Sequence, residues 1–283
     1  MTTLDYETVS RYWSTAAPSI LGPYMMDGFG FPAGAGRFRF RAECRIANRL
    51  IDGRLIDGCL NHAVHPGGCV LDLGSGVGFW TEYFAQRFSR VVAVEASKPL
   101  YEALEERCAS YSNVKLVHGD VMLFRSEDQY EVVFLGGMLM YLNEEDVISL
   151  LEKLSPSLQS GGIILCRETT VRQGTTTRQG DYQATYRSVA DYERIFAECG
   201  LSVLNVQMNI PYVLMQMGCE LVKKWKALVP APLQCLPVAG HLVYWGLRLG
   251  YPWITRVPTT LGLAYPELTN HFFVLQNVTK EFP

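Results

Sequence analysis

The chain has 283 residues, of which 48% are hydrophobic and 19% are charged, so it can bury a sizeable core. Its formal net charge of −3 at pH 7 provides no general attraction to nucleic acid. The eight cysteines form no C-x-x-C pair, and several fall in apolar segments, which indicates reduced core thiols and excludes a disulfide framework or a cysteine metal site. Because the first residues are polar and acidic, we expect no signal peptide and a cytoplasmic location.

Residues 1–36 are irregular and rich in glycine, proline and aromatic side chains, which predicts an ordered arm. Tyr12, Trp13 and Tyr24 are its candidates to cover a site. Residues 37–51 then place apolar side chains at helical spacing, with arginines on the other face. These arginines have two interpretations: a basic face in contact with water, or an arginine that reaches the carboxylate of a bound ligand.

From Cys69 onward, apolar strands alternate with helices. This order predicts a parallel sheet with helices on both faces, because right-handed crossovers allow little else. A long polar loop is predicted at 169–181, on the ligand side of such a sheet. The predicted strands are 69–73, 91–95, 114–118, 131–135, 162–166, 201–208 and 271–278, and the helices between them are 79–88, 99–110, 144–154 and 188–199.

The first strand runs into a glycine-rich turn, Asp72-Leu73-Gly74-Ser75-Gly76-Val77-Gly78. A dinucleotide site requires G-x-G-x-x-G, but Phe79 stands where the third glycine belongs. No Gly-Lys-Ser/Thr follows, so the turn is not a phosphate-binding P-loop. Acidic residues then mark the next two strands: Glu95 ends the second, and Asp120 follows the third.

Asp72, the glycine turn, Glu95 and Asp120, in this order, resemble the class I S-adenosylmethionine-dependent methyltransferases over residues 67–208 and 271–278. The resemblance implies an α/β three-layer sandwich with a seven-stranded, mostly parallel sheet. Its last strand is antiparallel and lies between strands five and six. The implied cofactor is S-adenosylmethionine, with S-adenosylhomocysteine as product and no metal.

The resemblance also assigns roles within the cofactor site. The turn backbone meets the methionyl part, Asp72 organises the site near the ammonium, Glu95 accepts from the ribose hydroxyls, and Asp120 accepts from the adenine amino group. The predicted cofactor contacts are Asp72, Gly74, Ser75, Gly76, Glu95, Ala96, Asp120, Val121 and Gly136.

We divide the chain into an N-terminal arm and helix (1–66), a methyltransferase core (67–208 and 271–283) and an apolar insertion (209–270). From Val229 to Ile254 the insertion has one charged residue, Arg248, and prolines interrupt it, which disfavours a membrane span. Three interpretations stay open: a cap over the active site, a homodimer interface, or a peripheral membrane contact through 229–254 with nearby lysines at the lipid headgroups.

Strand four ends in Gly136-Gly137-Met138-Leu139-Met140-Tyr141, without the Asn/Asp-Pro-Pro-Tyr/Phe motif that accompanies methylation of adenine N6 or glutamine. We therefore expect methyl transfer to N or O of a small or medium-sized, largely apolar metabolite. The alternatives are a protein N-terminal or side-chain methyltransferase, and a non-catalytic partner-binding protein of the same fold. The candidate catalytic residues are Tyr141 and Glu168, and the candidate substrate contacts are Tyr24, Met138, Tyr182 and Tyr186.

Overall fold

The structure is a computed structural model that describes residues 3–15, 29–53, 68–234, 237–263 and 265–277. The strands are β1 Cys69–Leu73, β2 Arg90–Glu95, β3 Val114–His118, β4 Tyr130–Leu135, β5 Leu158–Val171, β6 Thr175–Arg178, β7 Ala184–Ser188, β8 Leu201–Met208 and β9 Thr269–Asn277. The helices are α1 Tyr6–Ser14, α2 Gly34–Ile51, α3 Phe79–Ala85, α4 Lys98–Cys108, α5 Glu144–Leu154, α6 Val189–Glu198, α7 Ile210–Leu228, α8 Ala231–Gln234, α9 Val238–Leu249 and α10 Val257–Thr260.

Seven of the strands form the central sheet in the order β3-β2-β1-β4-β5-β9-β8. β1 pairs in parallel with β2 and β4, and β9 lies antiparallel between β5 and β8. The predicted fold class and the placement of the last strand are confirmed. The carboxyl ends of β2, β1 and β4 lie side by side, so the predicted cofactor residues at these ends share one edge of the sheet.

The predicted polar loop after strand five is wrong, because this segment is part of the sheet. β5 extends to Val171, and a hairpin of β6 and β7 follows it. β7 pairs in parallel with the end of β5 through Thr170 and Arg187. The threonines that make the segment polar are also β-branched, and such residues fit a strand well.

Side chains of β1 alternate between the two helical layers, as the pleat of a strand requires. Leu71 packs in a core with Leu150 of α5. Val70 packs in a second core with Trp80 of α3. Asp72, two residues after Val70, points to the same side as Val70. The strand thus carries a carboxyl group to its end inside an otherwise apolar layer.

Between β8 and β9, helices α7 and α9 pack against each other. Val213, Leu214 and Met217 of α7 form a small core with Leu247 of α9. α7 begins at Ile210 and ends at Leu228, and α9 runs from Val238 to Leu249. Within the described ranges, no helix is long and apolar enough to cross a membrane.

Two glycines of α9 provide a test of how tightly this helix docks. A Cβ added at Gly240 would overlap the carbonyl oxygens of Phe29 and Gly30, whereas one added at Gly246 would meet no atom within 4 Å. We expect Gly240→Ala to lower the free energy of unfolding by about 1–3 kcal/mol through this overlap. Gly246→Ala is the matched control, and it should raise the free energy of unfolding by up to about 1 kcal/mol through helix propensity. Urea unfolding measures both; equal effects of the two variants would contradict the docking.

Candidate active site

The glycine turn after β1 places backbone without side chains at the edge of the sheet. Gly76 has a φ of 56°, in the left-handed region. A Cβ added there would meet no atom within 4 Å. The backbone of Gly76 therefore faces open space, and a ligand can approach it closely.

Glu95, at the end of β2, holds this turn in place. One carboxylate oxygen accepts from the backbone N–H of Gly76 at 2.8 Å. The other accepts from the backbone N–H of Ser97, also at 2.8 Å. Burial raises the pKa of Glu95, and the backbone hydrogen bonds oppose that shift. Its carboxylate is thus positioned beside the glycine turn with further lone pairs available to a ligand.

Asp72 is buried at the end of β1 and accepts a hydrogen bond from the Thr81 hydroxyl at 2.6 Å. Thr81 lies on α3, so the helix that follows the turn fixes the carboxyl orientation. Burial raises the pKa of Asp72 to about 7, while the Thr81 hydrogen bond lowers it. A carboxyl group with this pKa changes its charge near neutral pH.

These residues line a cavity of about 620 Å³. Eight of the nine predicted cofactor contacts border it, and so do Met138, Tyr141, Tyr182 and Tyr186. The exception is Asp120, whose side chain is exposed and accepts from the Met122 backbone N–H at 2.8 Å. Its assignment to the adenine stays a prediction. Tyr24 lies outside the described residues.

Helix α1 lies across the edge of the cavity and is held at both ends. At its start, the backbone N–H of Leu4 donates to Asn143 at 2.8 Å. At its end, the carbonyl oxygen of Trp13 accepts from the Ser97 hydroxyl at 3.0 Å. Tyr12 and Trp13 both line the cavity. The structure thus places these two predicted covering residues over the site.

Three tyrosine hydroxyls form a chain in the cavity wall. The hydroxyls of Tyr141 and Tyr182 lie 3.0 Å apart, and Tyr186 donates to Tyr182 at 3.4 Å. Trp13 packs edge-on against the Tyr141 ring with centroids 5.3 Å apart, and Tyr12 packs against Tyr182 at 5.0 Å. Burial raises the pKa of Tyr141 and of Tyr182 well above the ordinary range. The Tyr141 and Tyr182 hydroxyls therefore keep their protons and can orient a ligand, but they cannot act as bases at neutral pH.

Glu168 lies behind this wall and does not border the cavity. It is fully buried, and one carboxylate oxygen accepts from the backbone N–H groups of Met138 and Leu139 at 3.1 and 3.2 Å. Arg187 donates to the carbonyl oxygens of Leu139 and Leu142. Both side chains hold the 3₁₀ turn Leu139–Tyr141. This geometry supports a positioning role for Glu168, and its predicted catalytic role stays a prediction.

Two arginines of the cavity lining share one buried carboxylate. Arg39 Nε lies 2.8 Å from Glu43, and Arg167 Nε lies 3.3 Å from the same carboxylate. The Arg39 guanidinium also lies 4.7 Å from the centre of the Tyr212 ring. Arg39, Arg167 and Tyr212 line the cavity, and Glu43 does not. The arginines at 37, 41, 45 and 49 are exposed, so Arg39 alone among the arginines of α2 fits the ligand-binding interpretation.

The cavity lining divides by charge. Asp72 and Glu95 lie at the ends of β1 and β2, whereas Arg39, Arg167, Arg178 and Lys223 belong to α2, β5, β6 and α7. Among the described residues that line the cavity, no other residue is Lys, Arg, Asp or Glu.

Sequence reasoning did not find the Arg39–Glu43–Arg167 cluster. The four-residue spacing of Arg39 and Glu43 on an amphipathic helix was an available signal, because such pairs face each other. Arg167 had no such signal in the sequence, because a charged residue just after an apolar strand is common in proteins.

A known protein family matches the chain over the segment that contains the glycine turn. Residues 70–162 match a family model described as a methyltransferase domain. Phosphoethanolamine N-methyltransferase 3 of Arabidopsis thaliana is 29% identical over 160 residues, which cover 55% of this chain and 32% of that protein. Ribosomal RNA small subunit methyltransferase A of Alkaliphilus metalliredigens is 27% identical over 165 residues, covering 55% of this chain and 57% of that protein. The chain thus spans less than two thirds of the length of either relative.

Among solved structures, a SAM-dependent methyltransferase from Leishmania major is similar with a TM-score of 0.61 and 14% identity, covering 96% of this chain and 82% of that chain. Identity this low shows a shared fold alone. Residues 70–162 thus form a methyltransferase domain, and the fold around them is that of the class I S-adenosylmethionine-dependent methyltransferases.

Proposed function

We propose that this protein transfers a methyl group from S-adenosylmethionine to the nitrogen of a small or medium-sized acceptor that carries an anionic group. The observation behind the proposal is the single cavity whose described lining combines two carboxyl groups, a chain of tyrosine hydroxyls and four cations. The arm and the apolar insertion contribute the acceptor side, through Tyr12, Trp13, Tyr212 and Lys223.

The residues at the ends of β1 and β2 fit the cofactor. The Asp72 carboxylate matches its ammonium group, and Glu95 matches the ribose hydroxyls because two backbone N–H groups use only some of its lone pairs. The open space at Gly76 leaves room beside the backbone. When bound, S-adenosylmethionine supplies a methyl group on a positively charged sulfonium. The remaining task of the chain is to place the acceptor and to exclude water.

The tyrosine wall favours nitrogen over oxygen as the methyl acceptor. An amine that binds in its neutral form attacks with its own lone pair and releases a proton to water after the transfer, whereas a hydroxyl acceptor must lose its proton to a base as it attacks. The pKa values of Tyr141 and Tyr182 are raised by burial, so neither phenol serves as that base. No histidine is among the described residues that line the cavity. The hydroxyls can instead accept or donate a hydrogen bond that orients the amine.

The cations favour an acceptor with an anionic group. Guanidinium groups bind carboxylate and phosphate through charge-assisted hydrogen bonds. The proposed acceptor differs from the largely apolar metabolite expected from the sequence, because it carries an anionic group. The name of the Arabidopsis relative describes an acceptor of this class, since phosphoethanolamine has one amine and one phosphate.

A methyl-transfer assay tests the proposal. Purified protein is incubated with S-adenosylmethionine and paired amines that differ in one anionic group, for example phosphoethanolamine against ethanolamine, together with phenols and a peptide with a free amino terminus. We expect formation of S-adenosylhomocysteine with anionic amines above all other classes. Turnover of phenols alone, or of the peptide alone, would overturn the proposal and favour an O-methyltransferase or a protein methyltransferase.

Two cations can be tested separately from the cofactor. Arg39→Lys keeps the charge near Glu43 but loses the planar guanidinium, and Arg178→Gln removes an exposed charge beside the Tyr182 ring. We expect each to raise KM for the anionic acceptor by about 10–150-fold, because a charge-assisted hydrogen bond is worth about 1.5–3 kcal/mol. Affinity for S-adenosylhomocysteine should not change. A parallel loss of that affinity would show that the arginine binds the methionyl carboxylate of the cofactor.

Glu95 can be tested through cofactor affinity. We expect Glu95→Gln to weaken S-adenosylhomocysteine binding by about 1–3 kcal/mol, since the ribose loses a charge-assisted acceptor. Glu102→Gln, an exposed change on the neighbouring α4, is the matched control and should bind normally. Calorimetry measures both. Equal affinity in the two variants would remove Glu95 from the cofactor site.

The pKa of Asp72 predicts a pH dependence of cofactor binding. Because burial raises that pKa to about 7, the carboxyl group is increasingly protonated below pH 7 in the ligand-free protein. An ammonium group binds the charged form, so affinity for S-adenosylhomocysteine should fall about tenfold per pH unit below that pKa. Asp72→Asn should bind more weakly and lose this dependence. Titration of both proteins from acidic to mildly alkaline pH decides; the same slope in both would assign the dependence to another group.

A further inference from the structure

One segment of the chain exposes large apolar side chains to solvent. Ten of the thirteen exposed large hydrophobic side chains in the described ranges fall between residues 228 and 263, and we call this segment the apolar face. Leu242 is 70% exposed, Leu249 87% and Trp253 73%. Single exposed apolar residues are ordinary, but such a concentration marks an interaction surface.

Helix α9 shows why this face requires a partner. Val238, Leu242, Trp245 and Leu249 follow each other at intervals of four, three and four residues, so they form one exposed stripe. The other side of the helix is also apolar, and its Leu247 packs into the core of α7. A helix that is apolar on both sides is normally covered on both.

The charged residues in and around the apolar face are all lysines and arginines. Between residues 221 and 266 there is no aspartate or glutamate, although the whole chain has a net charge of −3. The same stretch contains five cations: Lys223, Lys224, Lys226, Arg248 and Arg256. The acids that flank it are Glu220 and Glu267.

This charge distribution separates the two main candidates for a partner. A closed dimer would place the apolar face against its own copy, because a twofold interface uses the same patch on both subunits. Arg248 and Arg256, the cations within the face, would then meet the same arginines of the second copy, with no acid from the face to pair with them. An anionic lipid surface supplies both an apolar layer and the opposite charge.

We propose that the apolar face docks this protein on the surface of anionic lipid bilayers. Helix α9 has 12 residues and is therefore about 18 Å long, well short of the ~30 Å hydrocarbon layer, so it lies in the interface without crossing. Trp245 and Trp253 have the amphipathic rings that favour the headgroup region. Arg256, whose guanidinium lies 5.8 Å from the centre of the Trp253 ring, can meet lipid phosphates beside it.

The apolar face is connected to the active site through α7. Tyr212, Gln216 and Lys223 on one side of α7 line the cavity. Val213, Leu214 and Met217 on another side pack in the core with α9. Docking would thus bring a wall of the cavity within one helix of the lipid surface. The docking proposal does not depend on the methyl-transfer proposal, because it rests on the exposed face alone.

Vesicle flotation of the full chain tests the docking. The vesicles are made of phosphatidylcholine alone or with one-third phosphatidylserine, at low and at high salt. We expect binding to the anionic vesicles that weakens as salt screens the charges. The double variant Leu242→Asp/Leu249→Asp should lower the partition coefficient by at least about tenfold, since two leucines lose their apolar burial.

Leu123→Asp is the matched control, because Leu123 is 74% exposed and lies outside the apolar face. It should bind vesicles like the unmodified protein. S-adenosylhomocysteine affinity reports whether each variant is folded. The proposal is overturned if the unmodified protein fails to float with anionic vesicles, or if Leu123→Asp loses binding as much as the double variant. A lipid-free dimer that the double variant dissociates, without vesicle binding, would assign the face to a second copy.

Discussion

One buried carboxylate joins elements that are far apart in the chain. Glu43 of α2 is 0% exposed; it pairs with Arg39, accepts from Asn209 at 2.8 Å and lies 3.3 Å from Arg167 of β5. Asn209 precedes α7 and also donates to Asn270 of β9 at 2.8 Å. A buried charge is stable only when its partners compensate it. These contacts therefore fix α2, the sheet and the start of α7 relative to each other, and they hold both guanidinium groups at the cavity.

The same arrangement creates the division of charge on which the proposed chemistry depends. Asp72 and Glu95 are set by the first two strands and by the turn between β1 and α3, which are local features. The cations are brought to the cavity by packing, since each lies on a different element. A zwitterionic cofactor and an anionic amine both require opposite charges in one enclosed space, where charge-assisted hydrogen bonds are stronger than in water.

Two elements outside the sheet contribute side chains to the proposed acceptor side of the cavity. Helix α1 brings Trp13 against the Tyr141 ring, and its end is held by Ser97 at the start of α4. Helix α7 presents Tyr212 to the cavity and packs against α9 on another side. Under the proposed function, acceptor choice depends on how these helices pack, while the strand ends that carry the predicted cofactor residues keep their own local geometry.

The sequence by itself determined the fold class, the place of the last strand and the cofactor type, because short local motifs carry the family resemblance that implies them. Alternating apolar strands and helices, a glycine turn after Asp72 and an acid at Glu95 all lie within short segments. The sequence did not reveal that the threonine-rich stretch after β5 forms a hairpin. Threonine is polar, which suggests a loop, but it is also β-branched, which suits a strand. Only the tertiary structure decided that Arg39 and Arg167 meet at Glu43, that Glu168 lies behind the tyrosine wall, and that one side of α9 stays exposed. Those facts depend on contacts between separate elements, about 30 positions apart for Glu168 and more than a hundred for Glu43 and Arg167, or on which face of a helix is covered. No local pattern contains that information.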